Sequence, residues 1–147
     1  MTHGTIDDPV YDETIDVFVG PVDELRRAIR RMWGQRAVDE LELDDSPGKV
    51  LQHEDKAGVI TFVVWLRGWH GRSFDYGVIA HEATHLTARV LRVVGVKLCE
   101  ESEEAYCYFT EFVYKTILKV ARVHRERQSQ RRRHQHQRRA RGRKRAR

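Results

Sequence analysis

Residues 81–85 have the sequence HEATH, in which two histidines four positions apart flank a glutamate that follows the first. On an α-helix, positions i and i+4 lie on one face, so the imidazoles of His81 and His85 can bind one zinc ion. Glu82 lies about 100° around the helix, where its carboxylate can reach a water on the metal without taking a ligand position. The pattern predicts two Zn2+ ligands and a catalytic general base; the alternative is a polar patch on an amphipathic helix.

A hydrolytic zinc site usually has three protein ligands and one position open to water. The acidic segment after Cys99 offers a third ligand if a second helix begins there and folds back over the first. We predict Glu104 because it lies inside that helix, with Glu103 as the next candidate. Glu100 and Glu101 precede the predicted helix, and acids also favour helix N-termini for electrostatic reasons alone. Cys107 is predicted to be a small buried apolar side chain, with a thiolate ligand as the alternative.

HEATH followed by Glu104-Ala105, with the acid 19 residues beyond His85, resembles the gluzincin arrangement of zinc metallopeptidases. The chain is most similar to short zincin-type metallopeptidases of phage and prophage genomes, over roughly residues 58 to 118. The resemblance implies that His81, His85 and Glu104 bind zinc and that Glu82 is the general base. It also implies a peptide or protein substrate, and a host cytoplasmic location if the chain is phage-encoded.

The same resemblance implies a hydrophobic strand before the active-site helix, with its edge lining the cleft, and residues 59–66 fit that strand. Larger gluzincins often carry an aspartate four residues after the ligand glutamate, where this chain has Tyr108. No partner that orients a zinc-bound histidine is therefore identified, although such partners raise metal affinity or activity 10- to 100-fold. The sequence does not choose among four candidate oxyanion donors, which are His70, Arg72, Tyr76 and Tyr106.

The elements that must position these residues follow from periodicity and turn signals. Alternation predicts strands, the 3.6-residue period predicts helices, and the eight apolar or β-branched residues at 59–66 predict a strand buried on both faces. The strands are expected at 15–19, 49–55 and 58–68, and the helices at 22–33, 78–94 and from about 102. We predict an α+β fold, namely a small zincin-like domain (14–121) with a short, mostly antiparallel sheet, an HExxH helix and a glutamate-bearing helix. Residues 1–13 are expected to form a flexible arm. Residues 122–147 are expected to form a basic, disordered tail, with continuation of the last helix into this segment as the alternative.

Charge divides the chain into two parts. Residues 122–147 carry 13 Lys/Arg and one acid, whereas residues 1–121 carry 14 Lys/Arg and 21 acids. The tail lacks the apolar residues needed to fold alone and is expected to bind nucleic acid without sequence preference, or else to dock on the acidic body or an acidic partner. The two cysteines are too few for a disulfide-stapled fold, and no apolar stretch is long enough to span a membrane, so a cytoplasmic protein is expected.

Three functions compete on this evidence. The first is a zinc-dependent metallopeptidase that uses Glu82 as its base. The second is a nucleic-acid-binding protein that binds through its Arg-rich tail and has a structural or vestigial zinc site. The third is a metal-dependent hydrolase of a non-peptide amide. We favour the first because structural zinc is usually closed by four protein ligands, whereas H-E-x-x-H leaves a position open.

Overall fold

A computed structural model describes residues 1–7, 14–41 and 46–145, with side chains up to residue 138. These residues form four strands and four α-helices, with a short 3-10 turn (Glu100–Ser102) before the last helix. In chain order they are β1 (Thr2–Asp7), β2 (Thr14–Val19), α1 (Val22–Trp33), α2 (Gln35–Glu40), β3 (Gly48–Glu54), β4 (Ile60–Leu66), α3 (Ser73–Val93) and α4 (Glu103–Arg145). The predicted α+β class is confirmed.

The four strands form one mixed sheet in the order β1-β2-β4-β3. β1 with β2 and β3 with β4 are antiparallel pairs, and β2 with β4 is a parallel pair that aligns Val17 with Val64. The sheet is thus mostly antiparallel around a parallel centre. β4 has a strand on each side, so its edge cannot line a cleft as the resemblance implied. The edge strand next to it is β3.

Both faces of β4 are covered, as its continuous apolar sequence predicts. Phe62, Val64 and Leu66 pack in one buried cluster with the inner faces of α3 and α4. Val63 and Trp65 point to the other face and pack in a second cluster with α1 and α2. The sheet is therefore the middle of three layers, and α3 is held against one face of it.

The expectation of a flexible N-terminal arm is wrong for Thr2–Asp7, which form the edge strand β1. Thr2 and Ile6 alternate into the interior and are almost fully buried, so the segment gains enough contact to be ordered. Gly4 allows α4 to come close, since a Cβ there would lie 2.6 Å from Val120. Residues 8–13 of the expected arm lie outside the described residues.

In the described part of the tail the alternative of a continued helix holds in place of disorder, because α4 runs without interruption from Glu103 to Arg145. Its first turn beyond residue 121 belongs to the body: His124 is buried, and its Nδ1 lies 2.9 Å from the Thr2 hydroxyl. Arg and Gln are good helix formers, so they extend a helix whose start is already anchored. None of the described helices is long and apolar enough to cross a membrane.

Candidate metal centre

The HEATH segment lies in the first half of α3, which begins at Ser73, five residues earlier than predicted. Asp75 helps to begin the helix, because its Oδ2 accepts hydrogen bonds from the backbone N–H groups of His70 and Arg72, each at 2.9 Å. Every third or fourth residue of α3 is apolar and buried against the sheet and α4, including Ile79 and Leu86. This periodicity rotates the histidines of HEATH towards solvent.

The two imidazoles converge as the sequence predicts. Nε2 of His81 and Nε2 of His85 lie 3.0 Å apart, with the ring planes at 80° to each other. With Zn–N bonds of about 2.05 Å, that separation corresponds to an N–Zn–N angle of about 94°, and a tetrahedral angle needs about 3.3 Å. A shift of about 0.3 Å between the two nitrogens would therefore make the pair fit a tetrahedral ion.

The protonation state of His85 also suits a ligand. Burial lowers the pKa of His85, and the nearby positive charges of His81 and Arg89 lower it further. A lowered pKa keeps the imidazole neutral, which is the form that binds metal.

Glu82 is enclosed between α3 and the edge strand β3. Its side chain is buried, and a Cβ on Gly48 would lie 3.2 Å from Glu82 Oε1. Burial raises the pKa of Glu82; the charges of His81, Arg89 and Lys49 and a hydrogen bond from the Val50 backbone N–H oppose that rise. A carboxyl group whose pKa is raised is a better proton acceptor near neutral pH than an exposed glutamate.

Arg89 contributes to the site and was not foreseen. Its Nη1 donates a hydrogen bond to the Val50 carbonyl oxygen at 3.0 Å, which ties α3 to β3 one turn beyond His85. The sequence spacing already placed Arg89 on the helix face of the two histidines, since residues 81, 85 and 89 follow at four-residue intervals. What the sequence lacked was the information that β3 lies beside that face.

A groove of about 390 Å³ opens beside the site, and His81 and Glu82 are among the residues that line it. Its other lining residues are Ser46, Pro47, Gly48, Phe74, Gly77 and Val78. Phe74 is 68 % exposed and also lines a neighbouring groove of about 350 Å³ that reaches Trp69 and His70. Pro47, Phe74 and Val78 line both grooves, so the two grooves are neighbours beside the N-terminal half of α3.

The structure does not bring Glu104 to the two histidines. Thr110 donates a hydrogen bond to Thr87 at 3.1 Å, and Tyr106 donates one to the Val96 carbonyl oxygen, so α4 runs antiparallel to α3. Glu104 lies six residues before Thr110 on α4, and His85 lies two residues before Thr87 on α3. Because the two helices are antiparallel, these offsets add to eight residues, so Glu104 and His85 are separated by roughly 12 Å along the helix pair.

Helical rotation also turns Glu104 away, since it lies about 160° around α4 from the inward-facing Tyr106. Its side chain is exposed, as is that of Glu103. Across the described ranges 1–7, 14–41 and 46–145, no three His, Cys, Asp or Glu side chains are grouped so that they could hold a metal ion. The assembled part of the predicted site is thus His81, Glu82 and His85.

The candidate oxyanion donors and Cys107 lie in different environments. Tyr106 is the candidate oxyanion donor whose hydroxyl is already bonded to a backbone carbonyl. His70 and Arg72 line the neighbouring groove, and Tyr76 packs edge-on against Trp69 with ring centroids 4.8 Å apart. Cys107, predicted to be buried, is exposed. The apolar stripe of α4 lies on another side of the helix from Cys107.

Comparison with known proteins adds no assignment: no protein-family model, curated protein or solved structure matches this chain. The geometry of α3 and β3 therefore carries the functional argument.

Proposed function

We propose that this chain is a zinc-dependent metallopeptidase in which His81 and His85 bind the metal and Glu82 is the general base. The observation that carries the proposal is the convergence of the two Nε2 atoms at 3.0 Å, with a buried carboxylate from the next position on the wall of the same groove. A polar patch on a surface helix needs neither a converging pair nor a buried acid.

The chemistry follows from the types and environments of these residues. A zinc ion held by the two imidazoles would supply Lewis acidity, which would lower the pKa of water towards neutrality and polarise a peptide carbonyl. The Glu82 carboxylate takes the proton from the attacking water and delivers it to the nitrogen of the leaving amine. The charges of His81 and Arg89 and the Val50 N–H oppose the rise in the pKa of Glu82 that burial causes.

Glu104 remains the predicted third ligand, and Glu103 remains its alternative. In the structure neither carboxylate lies in a metal-binding group with the histidines, because both are exposed and Glu104 faces away from α3. The described residues therefore supply two of the three expected ligands, and the mutational test below identifies the third.

The metal part of the proposal is tested by the zinc content of the purified full-length protein. We expect one zinc per chain in the wild type and loss of that zinc in His85→Ala. His53→Ala is the matched control, because His53 stacks on Trp33 and does not line the groove beside α3. A wild-type protein that takes up no zinc from a zinc-loaded buffer contradicts the proposal.

The catalytic part is tested by cleavage of a peptide library read by mass spectrometry. We expect Glu82→Gln to keep zinc and lose cleavage, because the amide cannot accept the proton. Glu104→Gln and Glu103→Gln, compared as a pair, identify the third ligand by which of them loses zinc affinity. If Glu82→Gln cleaves peptides as fast as the wild type, Glu82 is not the base and the proposed mechanism is wrong.

A further inference from the structure

The last part of α4, residues 129–145, extends past the body and is called the basic extension here. Just before it, α4 is still anchored to the body: His124 is buried, and its Nε2 lies 2.7 Å from the Gln128 amide nitrogen. Arg131, in the first turns of the basic extension, is near enough to Glu24 of α1 to lower the pKa of that carboxyl. From 129 to 138 every side chain is exposed. At 1.5 Å per residue the basic extension is about 25 Å long, so α4 carries it as a projecting rod.

The basic extension contains nine Lys/Arg among its 17 residues and no acid. At 100° per residue, the four arginines of the extension whose side chains the structure describes (131, 132, 133 and 138) lie at about 0°, 100°, 200° and 340° around the helix, so they are distributed around it. Like charges three or four residues apart destabilise a helix. A surface of this kind is stabilised by an anionic partner that surrounds it, rather than by one that covers a single face.

A duplex nucleic acid is such a partner. The major groove of B-DNA is about 12 Å wide and an α-helix with its side chains is about 10–12 Å across, so cations on opposite sides of the helix meet phosphates on both walls. The deep, narrow major groove of A-form RNA does not admit a helix. Single strands are bound largely through aromatic side chains that stack on bases, and the basic extension has none.

We propose that the basic extension binds duplex DNA as a helix in the major groove, through phosphate contacts and without base recognition. The acidic body, with 21 acids against 14 cations over residues 1–121, is repelled by the same phosphates. Binding therefore holds the body away from the duplex, with the groove beside α3 free. This proposal does not depend on zinc or on catalysis.

The first test measures binding of the full-length protein to a fluorescent DNA duplex as salt is raised. The logarithm of the binding constant falls as the logarithm of the salt concentration rises. If Arg131, Arg132 and Arg133 each contact a phosphate, changing all three to Gln makes this negative slope shallower by about 2.7. From 50 to 200 mM salt, the wild type then loses roughly 40-fold more affinity than this variant. An unchanged slope in the variant overturns the proposal.

The control for net charge is Arg27→Gln, Arg30→Gln and Arg31→Gln together, which removes three exposed arginines from α1. We expect this variant to show the same slope of log K against log salt as the wild type. If its slope becomes as shallow as that of the variant in the basic extension, binding depends on overall charge and the proposal is wrong.

The second test separates a helix in a groove from a flexible cationic chain. Gln135→Pro leaves every charge in place and breaks the helix in the middle of the basic extension. We expect it to bind the duplex at least tenfold more weakly than the wild type. Equal binding by this variant, or wild-type binding of single-stranded DNA or polyglutamate as tight as that of the duplex, overturns the proposal.

Discussion

Gly48 begins β3 at a point where that strand lies close to α3. A Cβ built on Gly48 would lie 2.9 Å from Val78 Cγ1, 3.0 Å from Glu82 Cγ and 3.2 Å from Glu82 Oε1. Carbon atoms in good contact are about 3.5–4.0 Å apart, so a methyl group at residue 48 lies about half an ångström or more too close to two carbon neighbours. Val78 is β-branched and stiff, so the main relief comes from movement of Glu82 or of β3.

The expected loss of stability follows from two opposing effects. Overpacking of this kind costs about 1 to 3 kcal/mol, while replacing glycine by alanine within an element returns about 0.5 to 1 kcal/mol of backbone entropy. The net loss in the free energy of unfolding is about 0 to 2.5 kcal/mol, and each kcal/mol lost lowers the Tm by about 2 to 4 °C for a chain of this size.

Gly77→Ala is the matched control, because Gly77 lies in α3 and lines the same groove, yet a Cβ there meets no atom within 4 Å. We expect this variant to gain about 0.5 to 1 kcal/mol, as alanine does over glycine in a helix. Thermal and urea unfolding of the full-length chain, wild type and both variants, measures the difference.

On the proposed function, Gly48→Ala also displaces the Glu82 carboxylate, and a displacement of about 1 Å reduces the rate of peptide cleavage about 100-fold. Gly77→Ala leaves that carboxylate where it is. If Gly48→Ala proves as stable as Gly77→Ala, β3 and α3 lie further apart than described, and the enclosure of Glu82 is refuted.

Three further predictions concern the same packing. Arg89→Met should cost about 1.5 to 3 kcal/mol in urea unfolding because it removes a charged donor from the Val50 carbonyl, and no loss would show that this bond does not tie α3 to β3. Ile117→Ala, at a fully buried position of α4, should cost about 2 to 5 kcal/mol; a loss below 1 kcal/mol would argue against α4 packing on the sheet. Burial lowers the pKa of His124, so as the pH falls the unfolded chain binds a proton at this residue before the folded chain does. The free energy of unfolding should therefore decrease below about pH 6.5. Thermal unfolding at a series of pH values should show that His124→Gln removes this part of the pH dependence.

Much of α3 could be predicted from sequence because its signals are local. Residues four apart share a face of any α-helix, so the convergence of His81 and His85 needed only the helix itself. The apolar run that forms β4 likewise predicted burial on both faces, since each face then presents only apolar side chains.

The partners of that helix were decided by strand order and helix crossing, which no local period contains. β3, and not β4, is the edge strand beside α3, and this order makes Gly48, Val50 and Arg89 the neighbours of Glu82. The pairing of Thr2–Asp7 with β2 likewise depends on contacts far apart in sequence, as does the anchoring of His124 beneath it.

By itself, then, the sequence determined the chemical types at residues 81, 82 and 85, their common helix, and the separation of an acidic body from a basic end. Only the tertiary structure decided that the carboxylate of Glu82 is buried, that Glu104 lies on the far side of the α3–α4 contact, and that the basic end continues as a helix. The physical reason is range: side-chain direction within one helix repeats every 3.6 residues, whereas the distance between two helices depends on how the whole chain packs.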